Sequence, residues 1–567
     1  MRSSDLSVVK PTAKPEAAPD SLIPAAHQPP LPLDRLVREE RPTEDAVAFD
    51  VLFVGGGPAG LAGAIALARS ARERGIELSI GVLETAERLG DHCLSGAVVN
   101  PVALRELFPD IDEDALPLRG AVPRDRVYLL REDGSLRIPT PPTMRNHGNR
   151  IASICELVRW LGERAEDLGV DVLTGFPADC LLVEGERVIG VRTVPAGLER
   201  DGHAGAAYLP PTDIAARVTV LAEGTRGALT QAFLRWRGIG STHSQIYALG
   251  VKELWRPAKP LDAVVHTLGW PLPPDVFGGS FFYPMADDLV ALGLVVGLDY
   301  PQQGLDVHAL LQQLKSHPLF RPYLADGELL EWGAKTIPEG GYYALPERCS
   351  GDGVVIVGDA AGFVDVPSLK GIHYAIKSGT LAAHAVLDAL EHDDPSAARL
   401  GLYDELVRKS YVARDLHRTR GFRLGFKHGL YRGGLQAALL TATGGALPFG
   451  RGDGRADADE PRRPSEGPPD PEWRPDGKLS FAKEDAVYRS GNNTRDDIPS
   501  HLIVTDEEVP PAVAAFYAHM CPAGVYALRD GRLSMSPSNC VDCKATDVLG
   551  PRWTPREGGS GTKYDRM

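Results

Sequence analysis

The chain has 567 residues, 43% of them hydrophobic and 24% charged, an ordinary globular usage that supports a large core without disulfide staples. Lys and Arg number 61 against 76 Asp and Glu, a formal charge of −15, which excludes a general nucleic-acid binder that works by neutralising phosphates. Seven cysteines are too few for a stapled extracellular fold, and the absence of any apolar run of about 18 residues excludes a spanning helix.

In chain order, residues 1–46 carry prolines at 11, 15, 19, 24, 29, 30, 32 and 42 among scattered charges, which predicts a disordered Pro-rich tail. The segment lacks the basic start and apolar core of a signal peptide, so the chain is expected to stay unexported in a reducing compartment. Periodic sequence begins at residue 49. Residues 49–54 read as a buried strand running into Gly55, Gly56, Gly57, Pro58, Ala59 and Gly60, and an apolar helix follows from Leu61. Residues 78–83 read as a second strand that ends at Glu84, which completes a βαβ unit.

Gly55, Gly57 and Gly60 have the spacing of a dinucleotide fingerprint in the right context, between a strand and a helix. The glycines allow a tight turn and close backbone approach, the helix start receives a pyrophosphate, and Glu84 accepts ribose hydroxyls. Two later segments favour FAD over NAD(P): VTVLAEG at 218–224 and VVIVGDAAG at 354–362, each a strand ending in small residues. In that layout Asp359 accepts a ribitol hydroxyl. Lys370 and Gly371 then open a helix whose N-terminus stabilises negative charge on reduced flavin. A second fingerprint of the same kind does not occur, so electrons are expected from something other than a nicotinamide domain.

A dense break at residues 451–475, rich in Gly, Pro and charge, predicts a linker. Beyond it Cys521-Pro522 and Cys540-Val541-Asp542-Cys543 have the distribution of thiolates converging on a metal. An iron–sulfur cluster, a structural zinc site and three ordinary buried thiols are the readings that this spacing allows. Cys93, Cys155, Cys180 and Cys349 show no ligand spacing and read as core residues.

The motif order resembles the electron transfer flavoprotein–ubiquinone oxidoreductase family over nearly the whole chain. VGGGPAG at 54–60, HCLSGAVVNP at 92–101, HTLGWPL at 266–272, FGGSFFYP at 277–284 and ALGLVVGLDY at 291–300 carry the resemblance, with KGIHYAIKSG at 370–379, CPAGVY at 521–526 and NCVDCK at 539–544. It implies an α/β chain with a Rossmann-type FAD-binding domain over residues 47–450. A quinone-binding, membrane-surface domain is interleaved at about 240–345, and a C-terminal ferredoxin-like iron–sulfur module spans 476–567. It implies electron-transferring-flavoprotein dehydrogenase activity: FAD and a [4Fe-4S] cluster as cofactors, electron transfer flavoprotein as donor, ubiquinone as acceptor and no nucleic acid as partner.

The resemblance further implies that backbone groups of Gly278 and Gly279 contact the quinone, with Phe277 standing where the family has tyrosine. Two segments, residues 89–110 and 428–446, are implied to dip into one leaflet of a bacterial inner membrane from its cytoplasmic face. In the second, Leu430, Leu435, Ala438, Leu439 and Leu440 would form the apolar surface. One departure concerns the cluster. The family's four cysteine ligands map to Cys521, Cys540, Cys543 and a fourth position that here is Thr546, with Asp547 beside it as a substitute oxygen. A [4Fe-4S] cluster with an oxygen ligand, a [3Fe-4S] cluster and a lost cluster follow as alternatives. Two other functional readings are an FAD-dependent reductase of an unsaturated lipid or prenyl chain, and a redox-silent flavin-containing membrane-associated protein.

Overall fold

The computed structural model describes residues 21–286, 288–446, 454–464, 474–505 and 508–567. Residues 1–20 of the expected tail, and 451–453 and 465–473 of the expected linker, lie outside the described residues.

The expected strand and helix at the start of the periodic region are Val47–Val54 and Pro58–Glu73, and the next strand is Ile80–Glu84. Val51, Leu52 and Phe53 are fully buried on both sides, so the strand reads as a continuous apolar run rather than an alternating one. It lies at the centre of a nine-stranded sheet. Parallel partners are Ile80–Glu84 on one side and Asp213–Leu221 on the other, and Asp213–Leu221 is in turn paired in parallel with Val354–Ile356. Residues far apart in sequence therefore end at one carboxyl edge, which is where open α/β sheets bind ligands. Helix Ile372–Glu391 crosses Pro58–Glu73 at very short range, because a Cβ on Gly379 would fall 2.1 Å from the carbonyl oxygen of Ala59.

A second sheet of seven strands runs in the order Glu328–Pro338, Tyr247–Arg256, Val290–Gly297, Gly278–Pro284, Val264–Gly269, Asp125–Arg131, Gly134–Ile138. All of its neighbours are antiparallel except Val264–Gly269 with Asp125–Arg131. The sheet thus recruits residues 125–138, which lie outside the expected 240–345 range.

The C-terminal region contains helices Lys483–Arg489, Pro511–Met520 and Ala545–Leu549 and the hairpin Tyr526–Arg529 with Arg532–Met535. Its Phe481, Phe516, Cys521, Cys540 and Cys543 belong to the same apolar core as Leu249, Trp255 and Trp332 of the second sheet. The chain end returns to the first core, where Met567 is buried and its carbonyl accepts from Ile154 N at 3.2 Å.

Three sequence expectations need correction. Residues 21–46 pack as a strap: Leu22 enters one core and Leu36 the other, and Val37–Arg38 pairs in parallel with Leu181 and Leu182. Prolines make no core of their own, but an extended proline-rich segment already restricted in φ can insert isolated leucines into cores built elsewhere. Within the expected linker, Arg462 is fully buried and donates to the carbonyls of Leu298 and Asp457, both at 2.7 Å. Two carbonyls on one nitrogen and the Tyr300 ring 4.7 Å away receive a charge that composition alone would place in solvent. Finally, most apolar residues of 89–110, among them Leu89, Val98, Val99, Leu104 and Leu107, are buried in the protein, with Leu94 and Val102 half-buried, so the segment packs chiefly into the core rather than offering a continuous apolar surface.

Candidate functional site

A cavity of about 390 Å³ opens at the carboxyl edge of the nine-stranded sheet. Its first wall is the glycine turn, and each glycine has a separate reason to be there. Gly55 has φ +118°, and a Cβ on it would lie 2.3 Å from the carbonyl oxygen of Ala222. At Gly60 a Cβ would lie 2.1 Å from the carbonyl oxygen of Gly55, so the helix can approach the strand only without a side chain. A Cβ on Gly57 would meet nothing within 4 Å, and the residue lines the cavity. The open space before the N-terminus of Pro58–Glu73 is a cradle for an anionic group.

Glu84 also lines the cavity, and its two oxygens accept from Gly56 N at 3.0 Å and Ala86 N at 2.8 Å. Burial pushes its carboxyl upward against those bonds. Asp359 sits across the cavity in the 3₁₀ turn Gly358–Ala361, and burial pushes its carboxyl up to about 6 despite the opposing charge of Lys335. Gly371 is the N-cap of Ile372–Glu391, and a Cβ there would be 3.5 Å from Asp359 Oδ1. The structure thus brings all six residues expected for FAD to one region: Gly55, Gly57, Glu84, Asp359 and Gly371 line the cavity, and Gly60 closes the turn that shapes it. A cavity lined by two carboxylates, Glu84 and Asp359, and by residues at the start of two helices, Gly57 and Gly371, fits a flavin dinucleotide.

Sequence reasoning missed the cavity's remaining wall. Asp542, Lys544 and Trp553 of the C-terminal region line the same cavity, as does Lys335 of the second sheet. Thr336 N donates to the carbonyl of Cys543 at 2.9 Å, and Lys335 Nζ to that of Asp542 at 3.3 Å. Lys544 stands in the quoted NCVDCK motif, but nothing local signals that it lines a cavity built some 170 to 490 residues earlier.

Cys521 ends helix Pro511–Met520, while Cys540 and Cys543 lie in the loop before Ala545–Leu549. All three thiols are buried in apolar surroundings. Burial pushes them upward, Cys543 to about 12, and a thiolate at Cys521 would raise Cys543 further. Thiols so held carry negative charge only when a metal takes the proton's place. The donor set fits an iron–sulfur cluster on three thiolates and not a cubane on four. Thr546 is buried, shares a 2.6 Å hydrogen bond with the Tyr526 hydroxyl and donates to the carbonyl of Pro551 at 3.2 Å. Both carboxylate oxygens of Asp547, the expected substitute, are engaged within the protein: one is held by Arg226 at 2.7 Å and Gln231 at 3.1 Å, and the other accepts from Trp553 N at 3.2 Å. The remaining cysteines stay apart from this group. Cys155, Cys180 and Cys349 are buried in the core, and Cys93 edges the cavity.

Gly278 and Gly279 begin their strand half-buried and do not line the large cavity. A Cβ on Gly278 (φ +156°) would lie 2.2 Å from the carbonyl oxygen of Val295, and one on Gly279 2.5 Å from that of Thr267, so close strand packing alone requires both glycines. Phe277 packs against Phe426 with ring centres 5.0 Å apart and the rings tilted by 60°, and the Arg423 guanidinium lies 3.9 Å from its ring centre. The turn before this strand carries Pro274, whose carbonyl accepts from Leu430 N at 3.3 Å at the start of helix Leu430–Ala442. Tyr431, Leu435 and Leu439 are exposed on one side of that helix, whereas Leu440, expected on the same surface, is buried with Ala437 against the protein. The spacing Tyr431, Leu435, Leu439 keeps one face, and Leu440 falls on the next. Among the described residues no helix is long and apolar enough to cross a membrane.

Comparison with known proteins follows the same division. Residues 247–337 match a family model described as ETF-QO, ubiquinone-binding, and residues 477–565 one described as electron transfer flavoprotein-ubiquinone oxidoreductase, 4Fe-4S. The chain is 37% identical over 545 residues to the mitochondrial electron transfer flavoprotein-ubiquinone oxidoreductase of Arabidopsis thaliana, covering 92% of this chain and 85% of that one. It is 36% identical to the protein of that name from Pseudomonas aeruginosa, with 92% and 99% covered. Among solved structures, a geranylgeranyl bacteriochlorophyll reductase-like protein from Thermoplasma acidophilum aligns with TM-score 0.53 at 19% identity, covering 71% of this chain and 92% of that one. That last likeness is one of fold.

Proposed function

Because the chain belongs to the electron transfer flavoprotein–ubiquinone oxidoreductase family, we propose that it accepts electrons from reduced electron transfer flavoprotein through FAD and an iron–sulfur cluster and passes them to ubiquinone. The observation that carries the reading is the shared cavity: the nucleotide site is lined also by Asp542 within the cysteine loop, by Lys544 directly after it and by Trp553 beyond. FAD supplies the passage between two-electron and one-electron chemistry, and the cluster a one-electron carrier.

The chain's own residues position these groups. The N-terminus of Pro58–Glu73 would receive the pyrophosphate at Gly57, and Glu84 would accept ribose hydroxyls with the lone pairs not used by Gly56 and Ala86. Asp359 would accept a ribitol hydroxyl, and the start of Ile372–Glu391 at Gly371 would favour negative charge on the reduced ring. Cys521, Cys540 and Cys543 would hold the cluster.

The quinone head group would lie against the main chain at Gly278 and Gly279. Support comes from the link between that turn and the helix bearing Tyr431, Leu435 and Leu439, since a lipid-soluble substrate must enter from the bilayer. The same exposed side supports peripheral attachment, with the cytoplasmic face of a bacterial inner membrane as the finer placement. We further read residues 47–450 as the FAD domain, with the quinone sheet interleaved, and 476–567 as the cluster module. The alternative reductase of a prenyl chain shares only the fold of the Thermoplasma protein and leaves the C-terminal cysteines without a role. The test is reduction of a soluble quinone analogue by purified protein supplied with reduced electron transfer flavoprotein. Turnover is expected only with both present. Turnover of a prenyl substrate without the flavoprotein donor would overturn the reading.

A further inference from the structure

The family's cubane takes four cysteine thiolates, and this chain offers three. A cubane could survive if another group completed the fourth corner, so each candidate near the cysteine loop has to be examined for a free donor atom.

Thr546 occupies the position of the missing cysteine. Its hydroxyl gives its proton to the Pro551 carbonyl at 3.2 Å and is joined at 2.6 Å to the Tyr526 hydroxyl, itself buried. A neutral hydroxyl that is already bonded twice is a poor iron ligand beside thiolates. Asp547 has both carboxylate oxygens bound, to Arg226 and Gln231 on one side and Trp553 N on the other. Asp542 is bound by Arg556 at 2.8 Å and by Trp553 Nε1 at 2.8 Å. His501 alone has ring nitrogens without partners, and it groups with Cys540 and Asp542. One of its ring nitrogens, the Cys540 thiol and an Asp542 oxygen lie within 4.8 Å of one another, whereas the Tyr526 hydroxyl is bonded to Thr546, the position of the missing cysteine; His501 is therefore the competing donor that the His501→Ala variant has to exclude. Solvent is no better a source, because Thr546 and Asp547 are 7% and 1% exposed and Tyr526 3%.

Resting on the reading that the module carries an iron–sulfur cluster, we infer that Cys521, Cys540 and Cys543 hold a three-iron cluster, [3Fe-4S], whose empty corner is closed by the Tyr526–Thr546 hydroxyl pair. Three irons need three protein thiolates, and three are present. The hydroxyl pair satisfies itself and Pro551, so neither hydroxyl at the position of the missing cysteine is left unbonded. Restoring a thiolate at position 546 supplies what a fourth iron requires.

The experiment uses the full-length holoprotein, purified anaerobically, with iron analysis and low-temperature electron paramagnetic resonance on wild type, Thr546→Cys, Thr546→Ala and His501→Ala. Wild type is expected to hold about three irons per chain and to show a near-isotropic signal in the oxidised state. Thr546→Ala and His501→Ala keep that signature. Thr546→Cys is expected to gain about one iron, to lose the oxidised signal and to acquire a rhombic signal on reduction. About four irons in wild type with a rhombic signal on reduction would overturn the inference, and loss of that signal in His501→Ala would give the corner to imidazole. A wild-type protein without iron would also overturn it. Quinone reduction on the same samples tests the proposed activity separately: failure there with the three-iron signal intact sinks the activity and leaves the cluster assignment standing.

Discussion

The buried ion pair between Asp547 and Arg226 offers the sharpest test of how the cluster module is held. Asp547 is 1% exposed, and its carboxylate meets Arg226 Nε at 2.7 Å, Gln231 Nε2 at 3.1 Å and Trp553 N at 3.2 Å. Removing one member of such a pair leaves the other charge buried and uncompensated, at about 3–5 kcal/mol. Arg226 also donates to the backbone carbonyl of Asp547 at 2.6 Å, and a side-chain truncation keeps that bond. The expectation for Asp547→Ala is therefore the lower end, about 3 kcal/mol. With a urea slope of about 3 kcal/mol/M, the midpoint of the transition that releases the module should fall by about 1 M. Replacing both partners by apolar residues, as in Arg226→Met with Asp547→Leu, should recover most of the loss, because no orphaned charge remains.

The pair also sets a pH dependence. Burial works against the Asp547 charge, but Arg226 and Arg552 hold its carboxyl below the ordinary range. A depressed acid contributes stability that is fully present above the ordinary carboxylate value near 4 and is lost as pH falls through the lower folded value, so the acid limb of the stability profile should flatten in Asp547→Ala. Unfolding by urea at several pH values, followed by tryptophan fluorescence with iron measured on each sample, reads all of this. An unchanged midpoint accompanied by loss of iron would refute the reasoning and make Asp547 a ligand.

Three further outcomes are expected. Gly57→Ala should fold normally yet bind FAD more weakly on reconstitution, since its Cβ meets only cavity, whereas Gly60→Ala should lower stability itself, because its Cβ would sit 2.1 Å from a carbonyl oxygen; equal behaviour of the two would contradict the assigned roles. Asp359 has its carboxyl raised to about 6, so in the FAD-free protein its own contribution to stability should be fully present below the ordinary carboxylate value near 4 and be lost as pH rises through about 6. Asp359→Asn should abolish that loss in a thermal scan across pH. Leu435→Glu with Leu439→Glu removes two exposed leucines, each worth about 1.5–3 kcal/mol if fully buried in lipid, so vesicle binding should drop by at least about tenfold while quinone-analogue reduction in detergent is retained. Undiminished sedimentation with vesicles would remove this helix from the membrane contact.

The nucleotide half of the site was legible because its determinants are local. A strand, a glycine turn and a helix within a few residues, with Glu84 at the next strand end, specify a cradle whose backbone geometry allows few alternatives. Asp359 and Gly371 were legible for the same reason: each sits at a strand or helix end marked by small residues. The three thiols were legible from spacing, and so was the absence of a fourth.

Long-range packing decided the rest. Proline content spoke for a free N-terminal segment, yet residues 21–46 are held by leucines that enter cores formed elsewhere in the chain. The charge of Arg462 spoke for a solvated linker, yet two carbonyls brought together by the fold accept it in the interior. Whether Asp547 or Thr546 was free to bind iron depended on Arg226, Tyr526 and Pro551, of which only Pro551 is near in sequence. Local sequence fixes what a side chain is able to do, through its donors, its charge and its permitted backbone angles. Which partner takes up that capacity is set when segments hundreds of residues apart are packed together, and for Asp547 and Thr546 the partners lie within the protein.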